Sequence, residues 1–279
     1  MAQFAFPALH GLLIWWCGTA LILFLDGLPR RTFRWSMAGA SAVLIAALYG
    51  VAVSATDPSA LGAYAAFTCG ILVWAWLEIS FYTGYLTGPR KHHCMPGCHG
   101  WAHFRHAIQA SLYHELAVLA LGVTVVALAW RGSNMFGVWT FVALWWMHQS
   151  ARLNVFLGVS NLNAEFLPQH LDHLRSFFAL RPMNLLFPFS VTLSTMAAVL
   201  LAQQALASGG DPFHSTGFTL LATLMVLAIL EHWFLVLPIS AARVWNAMWQ
   251  WSLGARSARV RPVRGAPTAA QEATIGGHP

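Results

Sequence analysis

The sequence predicts an all-α fold: a polytopic membrane bundle of about seven transmembrane helices, amino terminus periplasmic and carboxyl terminus cytoplasmic. Three observations carry this: the composition, the spacing of apolar runs and the placement of basic residues. Of 279 residues, 58% are hydrophobic and only 9% are charged. Soluble domains carry about 25% charged residues, so this chain cannot cover a water-soluble particle of its size with polar groups.

Apolar runs long enough to cross about 30 Å of hydrocarbon fall at 5–25, 36–55, 61–86, 106–130, 134–158, 183–207 and 216–240. The first lacks a basic leader and a small-residue cleavage site, and Trp15 and Trp16 suit a retained helix. The second runs from beyond Arg34 to the short connection SATDPSA, where the third begins. A long connection, 87–105, leads to the fourth, and WRGS separates the fourth from the fifth. A second long connection, 159–182, precedes the sixth, and ALASGGDPF joins it to the seventh, whose pattern can run on through RVWNAMWQW.

The fifteen bases then sort by side. Fourteen lie at the end of, or after, runs one, three, five and seven, and only Arg131 lies on the other side. The positive-inside rule turns that asymmetry into the stated orientation and supports an odd number of spans. Residues 1–254 form the transmembrane domain and 255–279 a disordered basic, Ala-, Pro- and Gly-rich cytoplasmic tail. Its arginines at 256, 259, 261 and 264 suit contact with anionic lipids. Four dispersed Cys exclude a disulfide scaffold, no basic cluster marks a nucleic-acid binder, and there is neither a glycine-rich phosphate loop nor an internal repeat.

Ionisable groups within membrane helices are expensive and each demands a partner. Here they are Glu78, His114, Glu115, His148, Glu231 and His232. At about 1.5 Å per residue, Glu78, Glu115, His148 and Glu231 all lie roughly 12–15 Å from the cytoplasmic ends of their helices. Four helices of alternating direction thus place them in one layer. Buried carboxylates need protons or a cation, and Glu and His from facing helices are the ligands of two-iron or two-manganese sites. The pairs His114–Glu115 and Glu231–His232 are adjacent in sequence, so their members point about 100° apart and at most one of each faces a common centre squarely. A proton-sharing network and axial ligation of a bacteriochlorophyll or other tetrapyrrole remain as alternatives.

A second group lies toward the cytoplasm: His99, His103 and His106 at helical spacing, with Glu165, His170 and His173 in the connection after run five. These suit a cytoplasmic-side pocket or second metal site, beneath a short interfacial amphipathic helix that begins near Glu165 and turns Phe166, Phe177 and Phe178 toward lipid or protein. Interfacial hydrogen bonding is the plainer reading of these histidines. Membrane desaturases and hydroxylases hold two irons with clustered histidines too, but the paired His boxes are incomplete here. Cys94 and Cys98 lack the CxxC spacing; reduced thiols around a Pro–Gly turn are expected, a thiol–imidazole metal site being the alternative. Trp74, Trp76, Trp145 and Trp146 flank the polar layer and can wall a hydrophobic cavity.

The segments FYTGYLTGPRKHHCMPGCHGWAHFRHAI, YHELAVL, HQSARLNVFLGVSNLNAEFLPQHLDHLRSFF and LEHWFLVLP, with the length and the seven-span pattern, resemble the photosynthetic complex assembly proteins of purple phototrophic bacteria, the PuhE-like family encoded alongside the reaction-centre H subunit. The resemblance implies a place in the bacterial inner or intracytoplasmic photosynthetic membrane. It also implies partners among reaction-centre and core antenna subunits and other assembly factors, or a hand in bacteriochlorophyll supply; it assigns no catalytic residue.

Two functions stand. One is an assembly factor for the reaction centre and core antenna that handles bacteriochlorophyll or another hydrophobic ligand. The other is a dinuclear-metal membrane oxidoreductase acting on an isoprenoid or tetrapyrrole. A transporter fits less well, because Gly/Pro-interrupted midplane segments are lacking.

Overall fold

The computed structural model describes residues 2–95, 97–162 and 167–237. Glu165, Phe166, the end of the seventh run and the tail 255–279 lie outside the described residues.

Among the described residues, seven long helices account for the seven apolar runs: α1 (Ala2–Asp26), α2 (Phe33–Ser54), α3 (Ala60–Tyr82), α4 (Gly100–Ala129), α5 (Phe136–Leu157), α6 (Leu186–Ala207) and α7 (Pro212–Phe234). Six of them, all but α5, are long and apolar enough to cross a membrane. Helix α5 is also 22 residues long, but His148, Gln149, Arg152 and Asn154 in its second half lower its hydropathy. Among the described residues there is no β-strand, only an isolated bridge between Val159 and Leu180.

Local chemistry sets several helix starts. The Ser59 hydroxyl accepts from the Gly62 N–H and caps α3, and Asp211 caps α7 by accepting from the N–H of Phe213, with Pro212 preset in the first turn. The His214 imidazole donates to the same carboxylate at 2.6 Å and holds it below the usual carboxylate range. Asn184 caps α6 through the N–H of Leu186 at 2.8 Å.

Helix α3 is the axle. It packs against α1, α2, α4, α5 and α7, while α7 packs against α1, α3, α5 and α6. Eleven residues of α3 and twelve of α7 are buried, against two of α1, so α3 and α7 form the interior and α1 faces outward. Gly70 allows the close approach of α3 to α5: a Cβ there would sit 2.8 Å from the Gly137 carbonyl and 3.0 Å from Thr140.

The connection from α3 to α4 folds back along α4. The Thr87 carbonyl accepts from the His114 N–H at 3.0 Å, and Thr87 itself is buried. The connection after α5 contains the expected amphipathic segment as a nine-residue 3-10 helix, Gln169–Phe177. Its Leu171, Leu174 and Phe177 pack on Ala110 of α4, with Phe81, Tyr82 and Phe156 alongside, so this face meets protein. Burying each such side chain contributes about 1.5–3 kcal/mol. The same connection is tied to the end of α7, where Asn161 donates to the carbonyls of Leu235 and Phe234, both at 2.9 Å.

Candidate functional site

Helices α3, α4 and α5 bring Glu78, His114 and His148 together, with one potential ligand atom of each within 4.8 Å of the others. Glu78 Oε1 lies 3.3 Å from His148 Nδ1. The position of each side chain follows from local packing. Trp74, one turn before Glu78, sets its ring edge against the His148 imidazole at 5.3 Å. Phe81 covers His114 at 4.9 Å, and the backbone bond to Thr87 fixes the α4 turn that carries it.

Polar atoms are left over at this point. Neither nitrogen of His114, which is 1% exposed, has a hydrogen-bond partner, and neither do His148 Nε2 and Glu78 Oε1. A buried polar group without a partner costs about 1–3 kcal/mol, and four in one spot call for an explanation. Two imidazoles and one carboxylate within 4.8 Å of one another could hold a cation. That donor set, with positions left open, is the one that suits mononuclear iron(II) and related divalent ions.

Beside Glu78 and His148 lies a cavity of about 300 Å³ between α1, α3, α5 and α7, lined also by Asp26, Tyr82, Glu231 and Trp74. Its lining mixes aromatic and apolar side chains with the carboxylates of Asp26, Glu78 and Glu231. Asp26 Oδ1 is buried there without a hydrogen-bond partner.

The remaining ligands expected from the sequence are placed differently. Glu115 turns away from the centre and accepts from Arg152 and Gln149 of α5, with Arg152 also reaching Ser111. His232 is engaged at both nitrogens, with the Ala228 carbonyl and with the Ser150 hydroxyl, each at 2.9 Å. Glu231 faces the cavity without joining the ligand group. The angular argument for adjacent pairs therefore describes both: His114 points inward and Glu115 sideways, while Glu231 lines the cavity and His232 bonds across to α5.

The second set is dispersed. His99 contacts the Gly97 carbonyl at 2.6 Å, and His103 packs between the rings of Phe156 and Phe177 at 5.4 and 5.3 Å. His170 Nε2 donates to the Tyr82 carbonyl at 2.7 Å, and His173 is buried in the 3-10 helix. Burial pulls both the His170 and the His173 imidazole below the ordinary value. Among the described residues, no three of these histidines converge as ligands. His106 instead faces Cys94 and Cys98, which are joined to each other as a disulfide where free thiols were expected. Of the four tryptophans, Trp74 lines the cavity, Trp76 donates to Ser41 at 3.1 Å, Trp146 is 55% exposed, and Trp145 borders a separate apolar groove between α4 and α5.

Sequence reasoning missed Asp26, Gln149 and the role of Arg152. Asp26 sits where α1 ends, beside Gly27 and Pro29, and looks like a boundary residue. Arg152 looks like one of the interfacial bases, although its place one turn past His148 and on a helix facing Glu115 was a usable signal.

A protein of Rhodobacter capsulatus, described as an uncharacterized 30.4 kDa protein in the puhA 5' region, is 38% identical over 245 residues, covering 86% of this chain and 89% of that one. No solved structure matches the chain. The family described as protein of unknown function DUF3623 matches residues 1–260, and the chain belongs to that family.

Proposed function

We propose that this protein is a factor for building the photosynthetic reaction centre and its core antenna, and that it works through one divalent transition-metal ion held within the membrane by Glu78, His114 and His148. The observation that carries the metal is the convergence of one potential ligand atom from each of the three residues, at a point where both His114 nitrogens and His148 Nε2 lack a hydrogen-bond partner. The place in photosynthesis rests on the resemblance of its segments to photosynthetic complex assembly proteins and on the relative whose gene region is that of puhA. The membrane is accordingly the bacterial inner or photosynthetic membrane, with the basic connections and tail on the cytoplasmic side. The partners are reaction-centre and antenna subunits, with anionic lipids under the tail.

One ion fits the site better than the two expected, because Glu115 and His232 are engaged elsewhere. The cavity of about 300 Å³ stands at the lower end of the range for ligand pockets. It suits an ion with a small co-ligand or the end of a hydrophobic chain better than a whole bacteriochlorophyll. A second reading, an oxidoreductase acting on an isoprenoid or tetrapyrrole substituent, is favoured by the open coordination positions of a two-His, one-carboxylate set beside that cavity.

The test is elemental analysis of the protein in mild detergent, together with the near-infrared absorption of cells that carry site variants in place of the native gene. About one iron or manganese per chain, lost in His148→Ala along with the absorption of assembled complexes, is the expected result. Well-folded native protein with no metal above background overturns the metal. Normal complexes in the variant strains overturn the link to assembly.

A further inference from the structure

A second group of ligand-bearing side chains lies apart from the centre, where the connection before α4 meets the beginning of that helix. His106 Nδ1 is 3.4 Å from Cys94 Sγ and 3.2 Å from Cys98 Sγ, and the three side chains form a ligand group of their own. The loop that carries the sulfurs is held on both sides. The Cys94 N–H donates to Ser176 Oγ of the 3-10 helix at 3.0 Å, and that hydroxyl donates on to the His173 carbonyl at 2.8 Å. The Cys98 N–H closes a turn onto the Met95 carbonyl at 3.0 Å. Gly97 takes φ +82° in that turn, a conformation that favours glycine.

We infer that Cys94, Cys98 and His106 form a binding site for a zinc-class ion, separate from the intramembrane centre and occupied when the two cysteines are reduced. Zinc bonds of about 2.3 Å to sulfur and about 2.0 Å to nitrogen, at a tetrahedral angle, separate the two donors by about 3.5 Å. The imidazole already stands near that distance from both sulfurs. Only the sulfurs have to part, and reduction parts them. The disulfide by itself leaves the arrangement of His106 without a purpose, since sulfur is a weak acceptor. A bridge between residues four apart also restrains the unfolded chain less than one closing a long loop.

The distribution of basic residues places this loop in the cytoplasm, a compartment that keeps thiols reduced. Binding releases the thiol protons as the ion takes two thiolates and one imidazole. Three protein ligands leave the fourth tetrahedral position to water or to a donor from outside. The ion ties the loop to α4, and Ser176 ties the same loop to the 3-10 helix. The soft thiolates distinguish this site from the carboxylate–imidazole centre deeper in the bundle.

The experiment uses the full chain in mild detergent with a thiol reductant, in a Glu78→Ala background that removes the central carboxylate. The expected result is about one zinc per chain, four free thiols where the disulfide form has two, and a thiolate-to-cobalt charge-transfer band when cobalt replaces zinc. Zinc falls to background in Cys98→Ser and in His106→Gln, the latter serving if the serine variant misfolds. Four free thiols without stoichiometric zinc or the cobalt band overturn the inference. So does a Cys94–Cys98 bridge that is already present in protein extracted from the membranes of cells whose thiols were trapped before lysis. Because the central centre is disabled throughout, the result does not depend on the proposal made for it.

Discussion

Arg152 of α5 and Glu115 of α4 form an ion pair between helices, with Gln149 on the other carboxylate oxygen and Ser111 on the guanidinium. Both carboxylate oxygens and both terminal guanidinium nitrogens thereby have a partner within the bundle. Removing one member leaves the other without its counter-charge, but the pair is only part-buried, so the loss is smaller than for a fully buried pair. Arg152→Met is accordingly expected to destabilise the protein by about 1–3 kcal/mol, read as a lower unfolding temperature in detergent. The double variant Arg152→Met/Glu115→Leu should recover much of the loss. Simple addition of the two single effects would show that the residues are not coupled.

Metal content should follow the three-residue geometry. Glu78→Ala, His114→Ala and His148→Ala each abolish iron or manganese binding at the centre, whereas Glu115→Gln and His232→Gln retain it. Loss of metal in the Glu115 variant with its fold intact would restore a larger ligand set.

Gly70 sets the separation of α3 and α5, the helices that carry Glu78 and His148. Gly70→Val pushes methyl groups into the Gly137 carbonyl and Thr140, at an expected loss of about 1–3 kcal/mol. Metal affinity should fall with it, although no ligand is altered. A titration that leaves affinity unchanged would separate the helix contact from the site.

Burial depresses His170 and His173 in the fold, so protonation is harder there than in the unfolded chain. The stability they contribute is complete above the ordinary imidazole value of about 6.5 and is lost as pH falls below it. The unfolding temperature should therefore decline between pH 7.5 and 5.5. The decline should be shallower in His173→Leu, and equal slopes in the two proteins would assign it elsewhere.

Much of the fold was legible because a membrane span is specified by its own residues. The run 61–86 needs no knowledge of its neighbours to be recognised as a crossing, and helix α3 at Ala60–Tyr82 differs only near its end. Glu78, His114 and His148 were legible for the same reason, since an ionisable side chain in such a run is conspicuous. What could not be read was rotation about the helix axis. Nothing in the pair His114–Glu115 tells which member faces inward until α5 supplies Arg152 for one and His148 for the other. Asp26 and Arg152 were obscured by lying at helix ends, where charge is ordinary. The turn holding Cys94 and Cys98 against His106 depends on the 3-10 helix about 80 residues later in the sequence, beyond the reach of any local pattern.

The axle position of α3 bears on how the chain is made. It is the third helix to leave the ribosome, yet two of the neighbours that bury it, α5 and α7, follow it in synthesis. Until they insert, α3 has α1, α2 and α4 as neighbours, and its Glu78 carboxylate lacks His148. The three ligands coexist only after α5 is in place, and the cavity wall at Glu231 closes only with α7. Under the proposed metal centre, loading of an ion would therefore follow the insertion of α5. A chain truncated before α5 would reach the bilayer with Glu78 and His114 but without His148, the third member of the group.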